Sequence, residues 1–598
     1  MNFSTLLLRA ITFLLGCHIS IASAQQYLWH LGLGSTERPL RYTDIAVDQS
    51  GNVYTLGMSF EDIDLDPGPG TSLFSIANSA NNHADIFIAK YDSTQELLWH
   101  ISLAGITAPL TAKTPARIEL DGDSALYFVA TYRGSADFDP GPDTSLITWS
   151  NPGNLNSGDL VIARYGTDGT FRWVHSMGSR RGDFMRETRV GPDGTLVIGG
   201  KASDTLDLDP GPNEINLLPD PTGIYAASYV VSYDQEGNYL KHLAMPFGTL
   251  VTHIAVNSAN EHYVYGAIYD TVDLDLGPQT YWLAHPDSVF QSGFIAKYSS
   301  EDSLLWANYL VGAIANHGPG GLAIDEGDNA YVLCIVNGVV DILPGSDTQI
   351  IGQENSGELI LAKFDSLGQF DWVNYFPSSD PFEKYPENVV VSPGGDAFIA
   401  AGTHAEKVDV DPSADSLIIT NSYYDRDFYQ ETFLAGYEPT GAVKWGFGLT
   451  LAEEGSKVEA LFLRDSTLYW AGSFMPAAQF AAGVTDSSSG STPFVVAYRV
   501  RVTPVDSSRT TSMDPASFRP LSLYPNPAKT AIHVSTEGLK GLLGMQVLDM
   551  YGRLVKHQFQ YAKGEQILSI EDLASGIYFL RVQEVRGKDV HQGRFVKR

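Results

Sequence analysis

Five times along the chain, two aspartates stand two residues apart just ahead of a turn. Asp64/Asp66, Asp137/Asp139 and Asp207/Asp209 each lead into Pro-Gly-Pro. Asp273/Asp275 precedes Leu276-Gly277-Pro278, and Asp409/Asp411 precedes Pro412-Ser413. A sixth stretch keeps only Asp341, and a seventh has Gln479-Phe480 instead. In extended chain, residues two apart point to the same side, so each motif aims two carboxylates one way. Like charges that close repel unless a cation or several donors compensate them. Ca²⁺ takes carboxylate and carbonyl oxygens, which makes Asp64, Asp66, Asp137, Asp139, Asp207 and Asp209 candidate calcium ligands. The competing reading is a turn, with the second Asp opening it, Pro in second place and Gly in third. The turn is favoured, because the pair alone cannot supply all the oxygens that calcium needs.

Other chemistry is sparse. The chain has no Gly-x-Ser-x-Gly, no His-Glu-x-x-His and no phosphate-cradling glycine loop, so no catalytic residue is assigned. Carboxylates are numerous enough for a glycosidase pair, but abundance alone does not select one. Of two cysteines, Cys17 falls in the N-terminal leader. Cys334 sits in the apolar run 331–336 and reads as a core residue, with no nearby His to activate it. Arg181-Gly182-Asp183 spells an adhesion-type tripeptide, a match short enough to arise by chance.

Residues 1–24 read as a signal peptide, with an apolar run at 10–15 and Ala22-Ser23-Ala24 ahead of the cut. A lipoprotein-like Leu14-Leu15-Gly16-Cys17 is the rival reading. No later segment holds about 20 apolar residues, so no transmembrane helix is expected. The balance of 38 Lys+Arg against 70 Asp+Glu gives a net charge of -32, which repels phosphate backbones and argues against nucleic acid as a partner.

The elements that must carry these residues repeat. A tryptophan recurs after a turn at Trp29, Trp99, Trp173, Trp306, Trp372 and Trp445, and Lys241 occupies the same place in one copy. The seven positions are separated by 70, 74, 68, 65, 66 and 73 residues. Within the first copy, 44–48, 53–57, 86–91 and 97–102 are rich in β-branched and aromatic residues, with turn formers between them. Four antiparallel strands repeated seven times predict an all-β, seven-bladed β-propeller over residues 25–500. The first Trp strand, 27–33, precedes any complete copy, and the last copy lacks one. The N-terminal strand is therefore expected to complete the last blade and remove two exposed edges.

Three features of the copies resemble the SBBP-type propeller repeats of secreted bacterial proteins. They are the Asp-x-x-Gly-Asn turn at 48–52, the Ala-Lys-Tyr/Phe-Asp end of the third strand, and the Trp after it. That resemblance implies a propeller and no particular ligand.

Residues 501–519 are rich in Ser, Thr and Pro and read as a linker. From 520 to 598 the net charge is +4, which leaves -36 for the rest. This stretch opens with Leu523 and Tyr524-Pro525-Asn526-Pro527 and carries a hairpin turn at Asp549, Gly552 and Arg553. It continues through Gly576 and Tyr578 into a long strand and ends near Lys597. The order and spacing resemble the type A C-terminal sorting domain of the type IX secretion system, found in Bacteroidetes-like bacteria. The resemblance implies a small Ig-like β-sandwich and passage through the periplasm. It also implies the type IX machinery as a partner and a secreted or outer-surface location.

The expected function is a non-catalytic binding or adhesion module, a monomer facing an extracellular glycan or protein. The alternative is an extracellular enzyme acting on polysaccharide or peptide, with its site in the propeller channel.

Overall fold

The computed structural model describes residues from Gln25 onward. It leaves out 34–39, 78–83, 108–115, 151–157, 284–290, 315–320, 342–349, 352–356, 378–383, 421–430, 452–456, 488–491, 505–517, 536–541, 550–553, 585–589 and some single or paired positions. The signal peptide, Cys17, most of the linker, Asn526, Gly552 and Arg553 therefore lie outside the described residues. The chain divides into two compact units, Met1–Pro504 and Val505–Arg598. Neither unit contains a helix among its described residues, and no helix is long and apolar enough to cross a membrane.

In the first unit, seven sheets share one plan. Sheet one joins Arg41–Val47, Val53–Ser59, Asp85–Tyr91 and Leu97–Leu103 in that order. Sheets two to six begin with Arg117–Asp121, Asp183–Val190, Thr249–Val256, Gly321–Ile324 and Lys384–Val391 and repeat that order. Sheet seven joins Lys457–Arg464, Thr467–Phe474 and Thr492–Val500, and its outer strand is Gln25–Gly32 from the other end of the unit. That strand runs antiparallel to its neighbour, with Gln25 opposite Val500 and Gly32 opposite Phe494. The first strands follow one another around a ring: each touches the next, and Lys457–Arg464 touches Arg41–Val47. The fold is a β-propeller.

The reason lies in burial on both faces of each sheet. Asp85–Tyr91, Ala227–Tyr233 and Ser292–Tyr298 are buried along their whole length, so their side chains pack alternately against the sheets on either side. Seven apolar clusters result, one at each boundary between neighbouring sheets. The cluster joining sheet seven to sheet one includes Leu31 of the N-terminal strand with Ile45, Phe87 and Val495.

At three boundaries the repeated Trp and a Lys or Arg of the third strand bind one sheet to the next. Trp99 Nε1 and Lys90 Nζ both donate to the Thr167 carbonyl, at 3.2 and 3.0 Å, in the outer turn of sheet two. Trp173 and Arg164 do the same to Gln235, and Trp372 and Lys363 to Pro439. Each such turn has a glycine beneath the preceding Trp. Gly169 has φ +85° and leaves 3.1 Å between a would-be Cβ and the Trp99 ring.

The second unit packs a five-stranded and a three-stranded sheet around Ile532, Val547, Leu568, Leu580 and Phe595.

Candidate functional site

The Asp-x-Asp motifs form five copies of one loop clamp. Asp64 Oδ1 accepts from the amides of Asp66 (3.1 Å) and Ser72 (2.8 Å), and Asp66 Oδ1 accepts from Gly68 (2.7 Å). Asp137/Asp139 and Asp207/Asp209 repeat this on Ser145 and Ile215, and Asp273 and Asp409 repeat it on Tyr281 and Leu417. The hydrogen bonds hold the Asp64 carboxyl below its usual range, led by the Ser72 amide. The residue between the two aspartates is anchored as well. Its carbonyl accepts from the tyrosine that ends the third strand: Tyr91 to Leu65, Tyr165 to Phe138, Tyr233 to Leu208, Tyr298 to Leu274 and Tyr437 to Val410. Where only Asp341 remains, that tyrosine is Phe364, which has no hydroxyl to give. Among the described residues, no three His, Cys, Asp or Glu side chains converge at one point.

Each of the five clamps carries a two-stranded arm, and the stretch that keeps only Asp341 has an arm as well. The first Asp pairs across it with Leu73, Leu146, Asn216, Trp282, Ile350 or Ile418. Four of these partners are large apolar side chains held out in solvent: Leu73, Leu146, Trp282 (62 % exposed) and Ile418.

The centre of the ring has its own chemistry, which the motifs did not reveal. Strand register puts Asp44, Arg117, Glu187, His253, Gly321, Asn388 and Ala460 at one equivalent position on the seven inner strands. Five of them follow a bulged residue, which turns the strand locally. Sheets one to four thus contribute ionisable groups, and sheets five to seven small or neutral ones. Glu187 Oε1 lies 2.8 Å from Arg189 Nη1 and 3.4 Å from Arg117 Nε, and Arg189 also reaches Glu119 at 3.0 Å. Asp44 Oδ2 accepts from the Ile118 amide of the next sheet at 3.0 Å.

Three carboxyls thus share two guanidiniums in an enclosed place. Burial pushes Asp44 up to about 6 against the pull of Arg117, and Glu119 up to about 7 against that of Arg189. Burial also opposes ionisation of Glu187, but Arg189 and Arg117 together outweigh it and hold that carboxyl below its usual range. The network is closed on itself: every cation in it already faces an acid. Single-sequence reading misses it because its members come from three different copies.

Asp183 is fully buried and accepts from the Ser179 amide (2.5 Å) and Oγ (2.8 Å), so the carboxylate of Arg181-Gly182-Asp183 is not offered to a partner. Burial pushes it up to about 7. Cys334 is buried, and burial pushes its thiol up to about 12.

In the second unit the opening motif and the chain end lie side by side. The Ala528 amide donates to Val596 (2.8 Å), that of Arg598 donates back to Ala528 (2.9 Å), and Lys597 Nζ donates to the Lys529 carbonyl. Pro525 and Pro527 are exposed just before this junction. Gly576 pairs with Lys597, and Asp549 pairs with Tyr578, whose buried ring stacks on Phe595. The exposed Tyr524 ring lies 5.2 Å from that of His533.

Residues 522–597 match the family model described as a secretion system C-terminal sorting domain. No curated protein matches the chain. Among solved structures, the chain is similar to the β-propeller domain of the trilobed protease from Pyrococcus furiosus, at 8 % identity and TM-score 0.36, over 80 % of this chain and 100 % of that one. A protein of unknown function from Dyadobacter fermentans matches at 8 % identity and TM-score 0.35, over 80 % and 100 %. PorZ, a surface component of the type IX secretion system of Porphyromonas gingivalis, matches at 11 % identity and TM-score 0.15, over 95 % and 100 %.

Proposed function

We propose a binding role for this β-propeller, whose C-terminal unit is a type IX secretion sorting domain that engages the secretion machinery and sends the chain to the cell surface or out of the cell. The propeller is a non-catalytic module, and its ligand is an extracellular glycan or protein. One observation carries the reading: equivalent arms hold Leu73, Leu146, Trp282 and Ile418 out in solvent on loops clamped by hydrogen bonds. A lone exposed apolar residue needs no explanation, whereas a repeated set at one structural position supplies several weak contacts that act together. The ionic groups at the ring centre support the same reading, since their charges are spent on one another.

The test is retention of the chain on immobilised polysaccharides and on bacterial surface protein, with release of reducing ends and peptides followed in parallel. Retention without release is expected. Trp282→Ala combined with Leu146→Ser should lower retention several-fold without changing the melting temperature by more than about 1 °C, as surface substitutions do. Release that grows with time would sink the reading and direct attention to Glu119 and Asp44.

A further inference from the structure

At one end of sheets three and four, two cations lie without a partner acid among the described residues. Arg186 is the bulged residue of Asp183–Val190, between the pairs Met185/Gly200 and Glu187/Gly199. Its Nε is buried and has no hydrogen-bond partner among the described residues. Lys201 stands across from Phe184 in the adjoining strand, its Nζ 5.2 Å from that ring's centre. Burial lowers the pKa of both, and the charged group acting on Lys201 is Arg186 itself, which lowers it further. The repeat lysines differ: Lys90 faces Asp48, Lys297 faces Glu261 and Lys363 faces Asp371.

Aromatic rings gather at the same place. Tyr269, the residue after the second strand of sheet four, is a polar neighbour of Arg186. It stacks with Tyr225, just ahead of the third strand of sheet three, at 6.5 Å between centroids. The Tyr269 amide donates to Gly248, and Phe247 beside it is 41 % exposed. Strand starts and ends of this kind share one end of an antiparallel sheet, so Phe184, Arg186, Lys201, Tyr225, Phe247 and Tyr269 cluster at the loop end of the propeller.

We propose that this cluster binds an acidic saccharide, with Arg186 and Lys201 on its anionic group and the tyrosines against its ring. Two cations held close without an acid repel each other, and an anionic group between them relieves that repulsion. A guanidinium takes carboxylate or sulfate through paired N–H donors, and an ammonium adds a point charge. Tyrosine presents a flat apolar face and a polar edge, which suits a sugar's C–H face and hydroxyls. The -32 net charge disfavours long polyanions, so the favoured ligand is short or carries few charges. The site rests on the binding reading above and names its ligand class.

The experiment is calorimetric titration of the full chain with three oligosaccharides: uronate-containing, sulfated and neutral. Inorganic sulfate and an acidic peptide serve as controls. Binding of the uronate or the sulfated sugar, at least tenfold tighter than the neutral one, is expected, and the two arms separate carboxylate from sulfate. Arg186→Gln with Lys201→Met should weaken it at least tenfold, and Arg186→Lys less. Mass spectrometry of the wild-type chain gives a second readout that needs no variant: bound sugar should shield Lys201 from an amine-reactive label. No binding, equal binding of the neutral sugar, binding unchanged by the double variant, or a match by sulfate or peptide would overturn the proposal. Neutral-sugar retention lost in the Trp282 variant would remove this site and leave the binding role standing. Product release would remove that role itself.

Discussion

The boundary between sheets one and two and the boundary between sheets three and four close the same gap with different chemistry. At the first, Trp99 covers the turn glycine Gly169 and donates to the Thr167 carbonyl. At the second, Lys241 replaces the Trp, Asp302 replaces the glycine, and the two pair at 2.7 Å while Lys241 still donates to the equivalent carbonyl, that of Ser300. Asp302 even keeps the left-handed backbone, with φ +63°. The position and its geometry are thus retained while the interaction changes in kind. An indole over a glycine excludes water and adds dispersion, whereas an ammonium beside a carboxylate in partial contact with solvent adds modest Coulomb energy.

The largest break in this comparison is Trp99→Ala. It removes the ring, its bond to Thr167 and its packing on Tyr54 and should cost about 3 kcal/mol, read as a lower denaturant midpoint with unchanged slope. An effect under about 1 kcal/mol would mean that the staple is incidental.

A middle-sized effect comes from the buried carboxyls. Asp44, Glu119 and Asp183 are raised to about 6, 7 and 7. Each binds its proton more tightly folded than unfolded, so from about pH 4 to pH 7 the folded state holds more protons at these three sites, and their contribution to stability falls as pH rises. Buried His262, lowered to about 4, acts in the opposite sense up to about pH 6.5, so the readout is a difference: from pH 5 to pH 8 the Glu119→Gln chain should lose less melting temperature than the parent. The same pH dependence in the parent and in Glu119→Gln would contradict the raised Glu119 carboxyl.

The smallest effect is at the exchanged boundary. Lys241→Ala should cost about 0.5 kcal/mol, because the pair is partly exposed. The double change Lys241→Trp with Asp302→Gly should raise stability above that of the parent. A double-mutant cycle on the parent pair should return a coupling well below that of Trp99 with its turn. Equal couplings would mean that the two boundaries are held with the same strength.

Much of this was legible in the sequence. The spacing of Trp29 to Trp445 announced the repeat, and apolar runs such as 86–91 announced strands buried on both sides. Lys241 was visible as the odd copy, yet its compensation by Asp302 was not, since the partner lies 61 residues on. The Asp-Pro-Gly motifs were legible as paired carboxylates. Their anchoring by Tyr91 and its counterparts was hidden, because that hydroxyl belongs to a later strand. The Glu187–Arg189–Glu119 network and the Arg186–Lys201 cluster had no motif at all.

The sequence by itself determined the all-β class, the repeat, the charge contrast between the two units and the sorting domain at the C-terminus. Those are properties of local pattern and spacing, which need no partner to be read. Tertiary structure alone decided which carboxyls share guanidiniums, which cations find no acid among the described residues, and that Asp183 is withheld from solvent. Such facts depend on burial and on distances between residues far apart in the chain, and both arise only when neighbouring sheets pack.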